Sequence, residues 1–251
     1  MAKQSGLGDN FYVGGYDLSL DVASVDQMSG PLNTLNVTGI KQSANARLGG
    51  LRDGDWRFTS FMDITVGTPP YWVDNLHTLP RGDQIGTYFR GTSLQSPSAS
   101  INGKQVNYDW TRDTTGNLTG KTEIQANSFG MEWGEQLTSG LRTDAVATTG
   151  PAVTDPAGPV YPTNFGAQAY LQLVAFTGTS VDVQITHSAT VGGTYNTLID
   201  FGAQSAVGAW RATTALLTTP VQQFLKVNTV GTFTLATFAV CFVRNLVAVQ
   251  F

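Results

Sequence analysis

Alternation of apolar and polar positions is the strongest pattern in the chain. Val181, Val183 and Ile185 alternate with Asp182, Gln184 and Thr186, the period of two that turns one face of a strand toward a core. The runs AYLQLVAFTG, QQFLKVNTV and TFTLATFAVCFVR are rich in β-branched and aromatic residues. They predict further strands, with turns at Gly178, Gly192–Gly193 and Gly231. No helical stripe is convincing there, and short strands at this spacing predict an antiparallel sandwich of about 7–8 strands, Ig-like or jelly-roll-like. Nearer the N-terminus, Trp56, Phe58 and Ser60 alternate with Arg57, Thr59 and Phe61. Asn102–Gly103 is the dipeptide of a two-residue hairpin turn, and DTTGNLTG, from Asp113 to Gly120, marks another. One short helix is predicted from Pro69 to Leu79: two prolines open it, Trp72, Val73, Leu76 and Leu79 fall three or four apart, and Pro80 closes it. The fold class is mainly β, in two parts.

Charge sharpens that division. Residues 1–145 carry a net charge of -4 and the remainder a net of zero, so the C-terminal part solvates itself with Thr, Ser, Gln and Asn. Between the parts, Ala147–Gly166 holds Pro151, Pro156, Pro159 and Pro162 among glycines. Proline lacks the ladder's amide hydrogen, so this stretch reads as a semi-extended linker. The expected organisation is a domain over 1–146, a linker over 147–166 and a β-sandwich over 167–251. A mildly acidic chain argues against gripping nucleic acid, which needs clustered Lys and Arg. The opening residues lack the apolar run of a secretory signal.

Chemistry is harder to find than architecture. His77 and His187 fall in different expected domains and read as surface or strand-end residues, and Cys241 as a small core hydrophobe. Asp53 and Asp55 begin like a calcium loop, but Arg57 occupies the fifth position and no Glu follows at the twelfth. Glu132 and Glu135 flank Trp133–Gly134 without the cleft a glycosidase needs. Arg81-Gly82-Asp83 reads as a turn, and the Asn36 and Asn117 sequons carry little meaning without secretion. No phosphate loop or nucleophile elbow is present. The expectation is therefore no catalysis, no cofactor and no metal.

The N-terminal residues instead resemble a family. The opening MAKQSGLGDNFYVGGYDLS, the stretch LNVTGIKQSANARLGGLRDGDW, and the blocks RGDQIGTYFRGT and SFGMEWGEQLTSGLRTD are together similar to the tail tube (major tail) proteins of long-tailed phages and prophages. The C-terminal half, in QITHSATVGGTYNTLIDF and FLKVNTVGTFTLATFAVCFVRN, resembles the β-sandwich modules attached to many phage tail proteins, including those that decorate tube exteriors. The resemblance implies homo-oligomeric rings, usually hexameric, whose strands join into a continuous inner barrel and whose stacking makes a tube. Its implied partners are further copies, other tail proteins and passing double-stranded DNA held without specific binding. Host-surface glycans are a further implied partner, through Tyr161, Tyr195 or Trp210 if exposed, although core packing is the commoner fate of such aromatics and the preferred reading of these three. The implied location is the virion. Leu48, Leu51, Arg52 and Asp53 are the candidates for an inter-ring loop, its Gly, Asn and Ser content suiting a segment that folds or locks on assembly. A capsid-decoration or minor tail protein, or a carbohydrate-binding module, would share the β composition.

Overall fold

The computed structural model describes residues 8–62, 83–154 and 162–249. Every regular element among them is a strand, as the periodicity predicts, and the ladders with assigned register are antiparallel. The predicted helix at Pro69–Leu79 and His77 within it lie outside the described residues.

The described strands fall into two compact units. One takes the residues up to Leu20, Ile85–Ser100 and Trp133 onward; the other takes Asp21–Gln84 and Ile101–Glu132.

The first unit is organised by one very long pair, β13 (Ala167–Ser188) and β16 (Phe224–Arg244), of 22 and 21 residues. AYLQLVAFTG and VDVQITHS, which read as separate strands, are consecutive parts of β13, and QQFLKVNTV joins TFTLATFAVCFVR in β16 in the same way. Gly178 and Gly231 therefore occupy strand interiors and are not turns. Register shifts flank Gly178, and its φ of +153 and the +122 of Gly231 lie where L side chains are rare. A Cβ on Gly178 would lie 2.4 Å from Phe233 Cα, and one on Gly231 would lie 2.4 Å from Ser180 O. Close backbone approach at an irregular point of the ladder is the reason for glycine here.

Either side of that irregularity β13 has a different second neighbour. Its first part pairs with β15 (Gly208–Thr213), its last with β14 (Asn196–Gln204). Over Ala167–Val174 both faces of β13 are buried, which is why that run is almost continuously apolar. Ala169, Leu171 and Leu173 join one core cluster with Leu137, Val153, Phe238 and Phe242. Tyr170 and Val174 join another with Tyr12, Phe89, Ala239 and Cys241. The second cluster is completed from β1 (Asn10–Val13) and β7 (Asp83–Phe89), which pair Val13 with Gly86. Gln172 links β13 to these strands. Its Oε1 accepts from Gly15 N at 2.8 Å, and its Nε2 donates to Ile85 O at 2.8 Å and Thr87 Oγ1 at 3.1 Å.

Two strands from before the proline-rich stretch and one from within it also pair with β16: β10 (Glu132–Gln136), β11 (Arg142–Asp144) and, inside the stretch, β12 (Val153–Thr154). The division by charge at 147–166 and the division by compactness therefore do not coincide. Charge composition follows solvent exposure, whereas β11 is held by its ladder and by Arg142. That guanidinium bonds Asp144 at 2.9 and 2.8 Å and Val227 O at 2.7 Å.

In the second unit, β3 (Val22–Ser29), β6 (Asp55–Phe61), β9 (Leu118–Ala126) and the later part of β8 (Pro97–Arg112) form consecutive ladders. Trp56, Phe58, Ile101 and Ile124 are buried. On the alternate positions Arg57 bonds Asp55 at 2.8 Å and Glu123 at 3.2 Å, the division expected of a sheet with one wet face. Asn102–Gly103 is not a hairpin turn here, because β8 runs straight through it. A Cβ on Gly103 would lie 2.2 Å from Gln125 O, so the glycine serves strand approach. The turn at Asp113 is as predicted: its Oδ1 accepts from the Thr115 hydroxyl at 2.7 Å, from Asn117 N at 2.8 Å and from Thr115 N at 2.9 Å, and these bonds, the hydroxyl's first, hold the carboxyl below its usual range.

Candidate assembly surface

The second unit also carries a separate two-stranded ribbon, β4 (Leu32–Asn36) with β5 (Arg47–Arg52). Leu35 lies directly opposite Leu48 and Asn36 opposite Arg47. The positions alternate, as strands require, yet neither face is buried. Exposure is 53% at Leu32, 61% at Leu35, 48% at Val37, 104% at Ile40, 56% at Leu48 and 82% at Leu51. A two-stranded ribbon with no covering layer is marginal alone, and contiguous exposed apolar side chains mark contact surfaces.

The connection is ordered by its own polar groups. Asn36 Oδ1 accepts from Thr38 N at 3.0 Å and from the Thr38 hydroxyl. Thr38 Oγ1 accepts from Ala46 N at 2.9 Å, and Val37 N donates to Ala46 O at 2.9 Å. Gly39 N donates to Gln42 Oε1 at 2.9 Å. Small polar residues at 36–46 thus build the turn, so its composition reflects a formed hairpin end more than an unformed loop. Between Asp26 and Asp53 the chain has no acid, while Lys41, Arg47 and Arg52 are basic.

Of the predicted residues, Leu48, Leu51 and Arg52 lie on β5 and not in a loop, and Asp53 follows it. Leu48 and Leu51 are exposed, whereas Arg52 and Asp53 form the root. The Arg52 guanidinium is 3.3 Å from Glu132 Oε1, whose side chain is 1% exposed. Asp53 N donates to Pro31 O at 3.1 Å, and Met131 N to Asp53 O at 3.2 Å. Leu35, Val37 and Ile40 fall within the stretch that resembles the family's loop and Leu32 lies just before it, but none of them stands out as an anchor, because in a run dominated by Gly, Asn and Ser isolated apolar residues carry no period. The available signal was their coincidence with the acid-free stretch.

Other sequence candidates are committed to structure. Glu132 takes the Arg52 ion pair, and Asp55 pairs with Arg57 while burial raises its carboxyl. Asp83 is bonded by Lys104 at 2.7 Å and Asn127 at 3.0 Å, and the lysine contact leads in lowering its pKa; Arg81 and Gly82 lie outside the described residues. Cys241 is buried with its Sγ 3.0 Å from Ser98 Oγ. His187 is half-buried, in contrast to the exposed strand end expected, and its Nδ1 accepts from Gln222 N at 3.2 Å. Burial, with Arg244 second, lowers its pKa. Trp210 packs against the larger core cluster, Lys226 Nζ stands 4.0 Å over the Tyr195 ring, and Tyr161 lies outside the described residues. Among the described residues no group of three or more His, Cys, Asp or Glu could hold a metal ion.

No protein-family profile matches the chain, and no curated protein matches it in sequence. Two solved structures are similar over most of its length. The Dit protein (gp 19.1) of phage SPP1, described as a paradigm of the hub adsorption apparatus in phages infecting Gram-positive hosts, is 12% identical, with a TM-score of 0.33 over 93% of this chain and 98% of that one. A chain of the phage P2 baseplate in its activated conformation with Ca is 10% identical, with a TM-score of 0.30 over 95% of this chain and 99% of that one. Scores of this size lie below those of a shared fold.

Proposed function

We propose that the chain is a structural subunit of a phage tail, that copies of it join as rings stacked into a tube, and that the β4–β5 hairpin makes the contact between rings. The observation that carries the reading is the hairpin itself. It exposes Leu32, Leu35, Val37, Ile40, Leu48 and Leu51 on a ribbon with its own formed turn. Burying such side chains is worth about 1.5–3 kcal/mol each, and repeated contacts around a ring add. The resemblance of residues 1–145 to tail tube proteins supports the same assignment, and that region includes the hairpin.

Edge strands favour the same conclusion, since closing a ring pairs edges that a monomer leaves open. DNA would pass without binding, an expectation supported by the chain's formal charge of -4, because negative walls repel phosphate. Sedimentation tests the hairpin's role. The wild-type chain should pellet as polymer, and the double variant Leu35→Asp/Leu48→Asp should stay in the supernatant with an unchanged circular dichroism spectrum. Equal pelleting of both would remove the hairpin from the contact.

A further inference from the structure

Strand β14 ends the longer sheet path, paired on one side to β13, and its attachment is interrupted. Asp182 faces Ala203 and Gln184 faces Asp200, with a register shift between them. The extra residue lies at Phe201–Gly202, where Gly202 has φ +71 and its N donates to Asp200 Oδ1 at 2.6 Å. At a bulge the ladder is locally lost, so side chains carry the join. Here they are two carboxylates and one amide: Gln184 Nε2 donates to Asp182 Oδ2 at 2.7 Å and to Asp200 Oδ2 at 3.1 Å. Asp182 Oδ1 is shielded from solvent and has no hydrogen-bond partner. A shielded carboxylate oxygen beside a second carboxylate is satisfied most directly by a proton held between the two.

We propose that Asp182 and Asp200 share one proton, and that losing it loosens the edge strand β14 from β13. In the protonated state one carboxyl donates to the other, and the amide of Gln184 spans both. Without the proton, two like charges straddle a single neutral donor at the point where the ladder is already broken. The surrounding charges do not relieve this. On β16, Val230 and Asn228 lie opposite Asp182 and Gln184, and Lys226 lies opposite Thr186, with its ammonium over Tyr195 at 4.0 Å. His187 lies opposite Asn196 of β14 and has Arg244 as its charged neighbour.

The titrations agree in sign. Burial, followed by the Asp200 hydrogen bond, raises Asp182 to about 6. A raised carboxyl pKa stabilises the fold at low pH, and that contribution is lost as pH climbs from the ordinary carboxylate range through about 6. His187, with its pKa lowered, acts in the opposite direction and loses stability as pH falls. A loosening of β14 at rising pH is therefore not its doing.

Amide hydrogen exchange of the whole chain tests the proposal, with rates corrected for intrinsic pH dependence. Protection over Asn196–Gln204 should fall about tenfold between about pH 5 and about pH 7.5, while Ala167–Leu173 stays constant. Asp182→Asn, which supplies a permanent donor, should abolish the fall. PH-independent protection in the wild type, or an undiminished fall in the variant, would overturn it. If Asp182→Asn lacks core protection, Asp200→Asn is read the same way. Carboxyl NMR of the wild type is an independent check: Asp182 should titrate near about 6, whereas its titrating in the ordinary carboxylate range would refute the shared proton.

Discussion

Single residues in this protein often do work that their type conceals. Gln172 would pass in the sequence as a polar interruption of an apolar run, yet its amide meets Gly15, Ile85 and Thr87. Changing it to Leu leaves buried backbone partners unmade, at about 1–3 kcal/mol each; urea denaturation of Gln172→Leu should show a loss of at least that size. Gly178 and Gly231 similarly looked like turns and are points of backbone contact. Ala at either should cost about 1–3 kcal/mol or more, against almost nothing at Gly192, where a Cβ meets open space. His187 contributes through its neutral form, since Nδ1 must accept the Gln222 hydrogen. Its lowered pKa makes that contribution complete above the ordinary histidine pKa and lost as pH falls below it. Thermal melts of His187→Gln should lose this acid-side slope.

At the scale of elements, alternation was legible and extent was not. Trp56-Arg57-Phe58-Thr59-Ser60 announced β6, in which Trp56, Phe58 and Ser60 are the buried positions. Alternation announced the later part of β13, and β-branched and aromatic runs announced its first part and β16, but glycines divided each, because a glycine for close approach and a glycine for a turn look alike in one sequence. The hairpin β4–β5 was the opposite case. Its composition suggested a loop, while its hydrogen bonds make a ribbon whose period has no core to disclose it. Asp replacements at Leu48 and Leu51, exposed as they are, should change unfolding free energy by within about 0.5 kcal/mol. Trp56→Ala, at a fully buried site, should cost about 3–5 kcal/mol. Paired denaturation curves would separate a surface kept for contact from one kept for folding.

For the whole molecule, the lesson concerns what composition reports. The contrast between an acidic N-terminal part and a net-neutral C-terminal part is real, yet β10 and β11 pair with β16 across the proline-rich stretch and β12 pairs with it from inside, a long-range choice that local composition does not encode. The proposed assembly likewise depends on how copies meet, which no monomer pattern specifies. Negative-stain microscopy of the purified chain, beside a variant lacking residues 38–50, is the most direct test. Hollow tubes of stacked rings are expected for the wild type, and separate rings or monomers for the deletion. Wild-type monomers at every concentration, or tubes that survive the deletion, would contradict the proposed assembly.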